Sequence, residues 1–95
     1  MFIRILNFET DGNRKTELLT VMDAMIPFIK SQKGCTDCLF IINADNRYAL
    51  LVFWDSKENA DGAAGIIGPK MLPSLNKISK EPINPVLYEV YQQGV

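Results

Sequence analysis

The sequence predicts one α+β domain in the order strand, helix, strand, strand, helix, strand, and three observations predict it. Four short segments are rich in strand-forming residues with a period of two. Two longer stretches between them change to helical period. Turn or capping residues mark the changes. The chain has 95 residues, read as one domain spanning 1–95. At that length folding buries roughly two thirds of the unfolded surface, so a core forms without staples.

Phe2 to Phe8 reads as the first strand, with Ile3, Ile5 and Asn7 on one face and Phe2, Arg4, Leu6 and Phe8 on the other. Thr10-Asp11-Gly12-Asn13 is a turn cluster, and Asn13 is a plausible N-cap. A helix follows to Lys33, with Leu18, Met22, Met25, Ile26 and Ile29 as its apolar stripe and Pro27 on the opposite, solvent side. Gly34 supplies a left-handed stop. Cys38 to Asn43 and Tyr48 to Trp54 are strands joined by a hairpin turn. Ser56 caps a second helix, rich in small residues (Ala60, Gly62, Ala63, Ala64, Gly65). Gly68-Pro69 is expected to break it and start a short helix with Met71, Leu75 and Ile78 inward. Val86 to Tyr91 is the last strand. The order is that of a ferredoxin-like βαββαβ fold, a four-stranded antiparallel sheet with both helices on one face.

Two helices cover only one face of such a sheet, and an open second face should be polar. Here it is not. Ala49, Leu51 and Phe53 alternate with Tyr48, Leu50, Val52 and Trp54, so both sides of that strand are apolar. Leu39 to Ile42 and Val86 to Tyr91 are similar. Something must cover the second face, and a second copy is the economical answer. A homodimer is therefore expected.

Net charge is −1 with both signs dispersed and no basic stripe, which argues against nucleic acid. No apolar run approaches the roughly 20 residues that span a bilayer, and the first residues lack the order of a signal peptide; a soluble cytoplasmic protein is expected. Cys35 and Cys38 form one CxxC, half of a zinc site at most, in a chain without histidine. The pair follows a helix rather than starting one, so free, metal-free cysteines are expected. Gly65 to Lys70 lacks the context of a phosphate cradle and reads as a helix break.

Three segments carry a family resemblance: Phe2-Ile3-Arg4-Ile5, Lys33-Gly34-Cys35, and Val52-Phe53-Trp54-Asp55-Ser56-Lys57-Glu58. In them, and over nearly its whole length, the chain resembles the dimeric α/β-barrel superfamily and its antibiotic biosynthesis monooxygenase-like (ABM) domains. The resemblance implies a monooxygenase-type oxidoreductase that uses no cofactor and acts on a small aromatic or enolic molecule. The haem-degrading members rely on an asparagine, a tryptophan and a histidine. Asn7 is similar in position to that asparagine. The haem-contacting tryptophan would fall where this chain has Gly62-Ala63, and histidine is absent, so haem turnover is not expected.

Such chemistry needs a dry pocket, donors for an oxyanion and, in some cases, a base. Asn7, Trp54 and Tyr88 are the candidate catalytic residues, as amide donor, indole donor and phenol; Arg4 is the candidate anchor for an anionic substrate. The pocket is expected between sheet and helices, near Asn7 and Trp54, with Gly62, Ala63 and Gly65 leaving room for substrate. Each of these residues also has a plain structural role. A dimeric domain that binds a small apolar or aromatic molecule without catalysis is the alternative.

Overall fold

The computed structural model describes residues 1–94. Strand β1 (Phe2–Glu9) is followed by helix α1 (Lys15–Lys30), the hairpin β2 (Cys35–Asn43) and β3 (Arg47–Trp54), helix α2 (Lys57–Ile78) and strand β4 (Val86–Glu89). The four strands form one antiparallel sheet in the order β2-β3-β1-β4. This is the expected ferredoxin-like α+β fold. Among the described residues, no helix is long and apolar enough to cross a membrane.

Strand parity decides which side chains meet the helices. Leu6 and Phe8 of β1 and Tyr48, Leu50, Val52 and Trp54 of β3 are buried on the helix-covered face. Against them α1 lays Leu18, Met22, Met25 and Ile29. Helix α2 contributes Ala60, Ala63, Ile67, Met71, Leu75 and Ile78. Each fully buried aliphatic side chain in this layer stabilises the fold by roughly 1.5–3 kcal/mol. At one end Phe8, Phe40 and Tyr48 stack with ring centroids 5.6–6.3 Å apart.

Among the described residues nothing covers the other face. Its central rows run across the strands: Leu39, Leu51, Ile5 and Val86, then Phe53, Ile3 and Tyr88 beside Asp37. Leu39, Ile41, Val86 and Tyr88 are all more than a third exposed.

Several local expectations need correction. Helix α2 runs through Gly68-Pro69 without a break and holds both Pro69 and Pro73. Each proline removes one helical hydrogen bond, but the buried stripe from Ala60 to Ile78 keeps its spacing across them, and packing on the sheet holds the helix together. Asn13 caps nothing: it lies in a 3-10 turn (Gly12–Arg14), and the N-cap of α1, Arg14, has no side-chain cap. Helix α1 stops at Lys30, three residues early, where Ser31 and Gln32 bond back to the last turn. Strand β2 starts three residues early and takes in the cysteines through an irregularity between Cys35 and Asp37. Strand β4 ends at Glu89.

Ser56 caps α2 as expected, accepting from the Asn59 N–H at 3.2 Å. Gly34 is left-handed, with φ of 84°. A Cβ there would come within 2.6 Å of both Asn59 and Asp55, and the Gly34 carbonyl accepts from the Asp55 N–H at 2.9 Å. Gly34→Ala is therefore expected to destabilise by more than the roughly 1–2 kcal/mol of the left-handed conformation alone. Denaturant unfolding measures it; an unchanged midpoint would contradict the geometry.

Candidate functional site

A cavity of about 270 Å³ lies between the helix-covered face of the sheet and α2, at the lower end of the size range of small-molecule sites. Its floor is Leu6, Leu50, Val52 and Trp54, and Ala60, Ala64 and Gly68 of α2 give it room. Small residues on that stretch of α2 keep the helix from filling the space above the strands. Two of the lining residues carry polar side-chain groups. Trp54 is 2% exposed, and its Nε1 has no hydrogen-bond partner among the described residues. A buried indole N–H without an acceptor is a standing cost. Arg4 is the only ionisable residue among the described residues that line the cavity. Its side chain is 19% exposed, and its Nη2 donates to the Ala60 carbonyl and to Asp61 Oδ1, both at 3.3 Å.

A second, more polar cavity of about 420 Å³ lies at the far end of β1, lined by Asn7, Glu9, Arg47, Tyr48, Lys80 and Glu81 among others. The Tyr48 hydroxyl is buried there without a partner. Its charges largely satisfy one another. Glu9 lies 2.9 Å from Lys80 and 3.6 Å from Arg47, and the Lys80 hydrogen bond holds its carboxyl below the usual carboxylate range. The first cavity, apolar with one cation, is the better place for aromatic chemistry.

No protein-family model matches the sequence, and no curated protein matches it either. Solved structures do. Rv0793 from Mycobacterium tuberculosis superposes with a TM-score of 0.85 at 16% identity, over 99% of this chain and 98% of that one. An antibiotic biosynthesis monooxygenase superposes at 0.82 with 10% identity, over 97% and 100% of the two chains. An asparagine-to-alanine variant of SnoaB, a cofactor-independent oxygenase from Streptomyces nogalater, superposes at 0.79 with 20% identity, over 97% and 94%. The chain has the ABM-like fold.

On that fold the expected site residues separate. Arg4 and Trp54 line the cavity under α2. Asn7 does not: it pairs with Ala49 across the sheet, is exposed, and meets only the second cavity. A pocket near both Asn7 and Trp54 is thus ruled out by parity, since the two residues lie on opposite faces. Tyr88 pairs with Ile3 on the uncovered face and is 52% exposed. Gly62 and Gly65 point to open space, and Ala63 is buried core. The room in the cavity comes instead from Ala60, Ala64 and Gly68, on the opposite turn positions of the helix. Leu50, Val52 and Met71 were not foreseen as lining, although Leu50 and Val52 share Trp54's parity.

Among the described residues, no three His, Cys, Asp or Glu side chains gather as metal ligands. Cys35 and Cys38 carry free thiols. Burial pushes the Cys38 thiol up to about 11 and raises Cys35 as well. Thiolate is the reactive form, so Cys38 is expected to resist iodoacetamide at pH 8 in the native state and react on unfolding. The sign for stability follows from the raised value. The contribution is complete below the unfolded thiol's pKa of about 8.5 and is lost as pH rises toward the folded value. Mass spectrometry of alkylated native protein checks this; rapid labelling of Cys38 at pH 8 would contradict it.

Proposed function

We propose that this protein is an oxygenase that acts on a small enolisable aromatic molecule in the cavity under α2, with the substrate as its own electron source. One observation carries the reading: a mostly apolar cavity with a single cationic guanidinium, that of Arg4, among its lining residues. The substrate is a ring system with a methylene conjugated, through an aromatic ring, to a carbonyl. Loss of one proton to water at the cavity mouth gives an enolate, and Arg4 stabilises its oxygen. The carbanion carbon reduces dioxygen and forms a C–O bond, giving a peroxide. Loss of the second C–H proton with O–O cleavage leaves a carbonyl and releases water. In balance, one methylene and one dioxygen become one new carbonyl and one water, with all four electrons supplied by the carbon. The apolar walls hold the ring. The likeness to a cofactor-independent oxygenase in fold supports the same reading.

The alternative, binding without turnover, is favoured by one feature: no carboxylate, cysteine or tyrosine lines the cavity as a proton acceptor, among the described residues. Oxygen uptake separates the two. Anthrone, added to purified protein in air, is expected to consume one dioxygen per ketone formed, in proportion to protein. Uptake no faster than in buffer would favour binding alone.

We further propose that two copies pair through the uncovered sheet face, which presents Ile3, Ile5, Leu39, Leu51, Phe53 and Val86 as one apolar surface. Exposed patches of this extent mark association sites, and a twofold pair buries the same patch twice.

A further inference from the structure

We infer that the cavity under α2 admits its aromatic ligand as a monoanion, with one oxyanion – carboxylate, phenolate or enolate – taken by Arg4. The inference rests on reading that cavity as the reaction site and names the substrate class it selects. Arg4 stands in an otherwise apolar row of the sheet, between Val52 of β3 and Leu87 of β4. A charge so placed needs a partner, and the one it has is incomplete. Asp61 is shared, with Oδ1 facing Arg4 and Oδ2 taken by Lys57. Two cations therefore meet one carboxylate, and one positive charge is left over at the cavity. Of the guanidinium's five N–H donors, only Nη2 is engaged among the described residues, so Nε and Nη1 keep donors for a bidentate oxyanion.

A single oxyanion on an aromatic ring matches this set. It balances the surplus charge and accepts from the idle donors, while the ring covers Leu6, Leu50 and Val52. A neutral ring leaves the guanidinium as it was. A dianion brings a second charge into apolar walls that offer nothing to pair with it. The contrast with the second cavity supports the assignment, because there Lys80 and Arg47 meet two carboxylates, Glu9 and, 4.0 Å from Lys80, Asp11, and no cation is left over.

The test compares 2-naphthoate with its neutral counterpart 2-naphthamide by isothermal titration calorimetry on the intact protein. The indole N–H resonance of Trp54, the only tryptophan, reports cavity occupancy by NMR. Naphthoate is expected to bind about tenfold or more tighter than the amide and to shift the indole resonance. In Arg4→Gln, which keeps a donor and removes the charge, the preference is expected to disappear. Equal affinities in the native protein, or naphthoate binding that leaves the indole resonance in place, overturn the inference. The native comparison decides even if the variant does not fold. Anion preference without oxygen uptake on anthrone would refute the oxygenase reading and leave this one standing; uptake without anion preference would do the reverse.

Discussion

Leu51→Lys is expected to turn a dimer into a monomer that is still folded. Leu51 sits in the middle of the uncovered face, between Leu39 of β2 and Ile5 of β1. Its side chain points away from the helices, so the core under α1 and α2 is untouched. A paired face of this kind should bury about 1,600 Å² in total, and a lysine at its centre must leave an ammonium buried without a partner or keep the faces apart. Either route costs several kcal/mol, enough to abolish association at micromolar concentration. Sedimentation velocity reads the result, and circular dichroism shows that the fold remains. Leu50→Lys, one residue earlier, places the same charge in the core, where Leu50 has no exposure, and is expected to unfold the chain. If native protein sediments as a monomer, or Leu51→Lys as a dimer, pairing through this face is wrong.

Trp54→Ala is expected to cost about 3–5 kcal/mol, as large-to-small changes at buried aromatic positions do. Trp54 is among the largest fully buried side chains and packs at the end of β3 opposite Phe2. Its removal opens the existing cavity further rather than letting the walls close. Trp54→Phe keeps most of the ring and deletes an N–H that has no partner among the described residues. Its stability cost is expected to be much smaller, under about 1.5 kcal/mol. Urea unfolding of both variants separates packing from hydrogen bonding. A Trp54→Phe variant as unstable as Trp54→Ala would show that the indole N–H has a structural partner after all.

The fold was legible in the sequence because its periodicities are physical. The alternation in β1 and β3, the four-three-four spacing of Leu18, Met22, Met25 and Ile29, and the stop at Gly34 each follow from local geometry. A break at Gly68-Pro69 is expected because glycine followed by proline weighs against a helix locally, whereas the stripe from Ala60 to Ile78 holds the helix by tertiary packing. Half of the candidate site was legible. Arg4 and Trp54 lie on the face that the helices cover; Asn7 and Tyr88 lie on the other. Arg4 and Asn7 are three residues apart on one strand, so alternation alone forbids them from one side of the sheet. What sequence did not determine was which face the helices take, since both faces are apolar. The small residues of α2 posed the same problem: Gly62 and Gly65 looked like room beside the sheet, but the helix turns them to solvent and offers Ala60, Ala64 and Gly68 instead.

Oxygen uptake on anthrone by native protein, Arg4→Gln and Asn7→Ala, compared side by side, tests the location and the chemistry together. The account predicts loss of about 100-fold in kcat/KM for Arg4→Gln, which keeps an amide donor but removes the charge that stabilises the enolate oxygen. It predicts a value within about twofold of native for Asn7→Ala, whose side chain lies across the sheet from the cavity. Full activity in Arg4→Gln with loss in Asn7→Ala would contradict it.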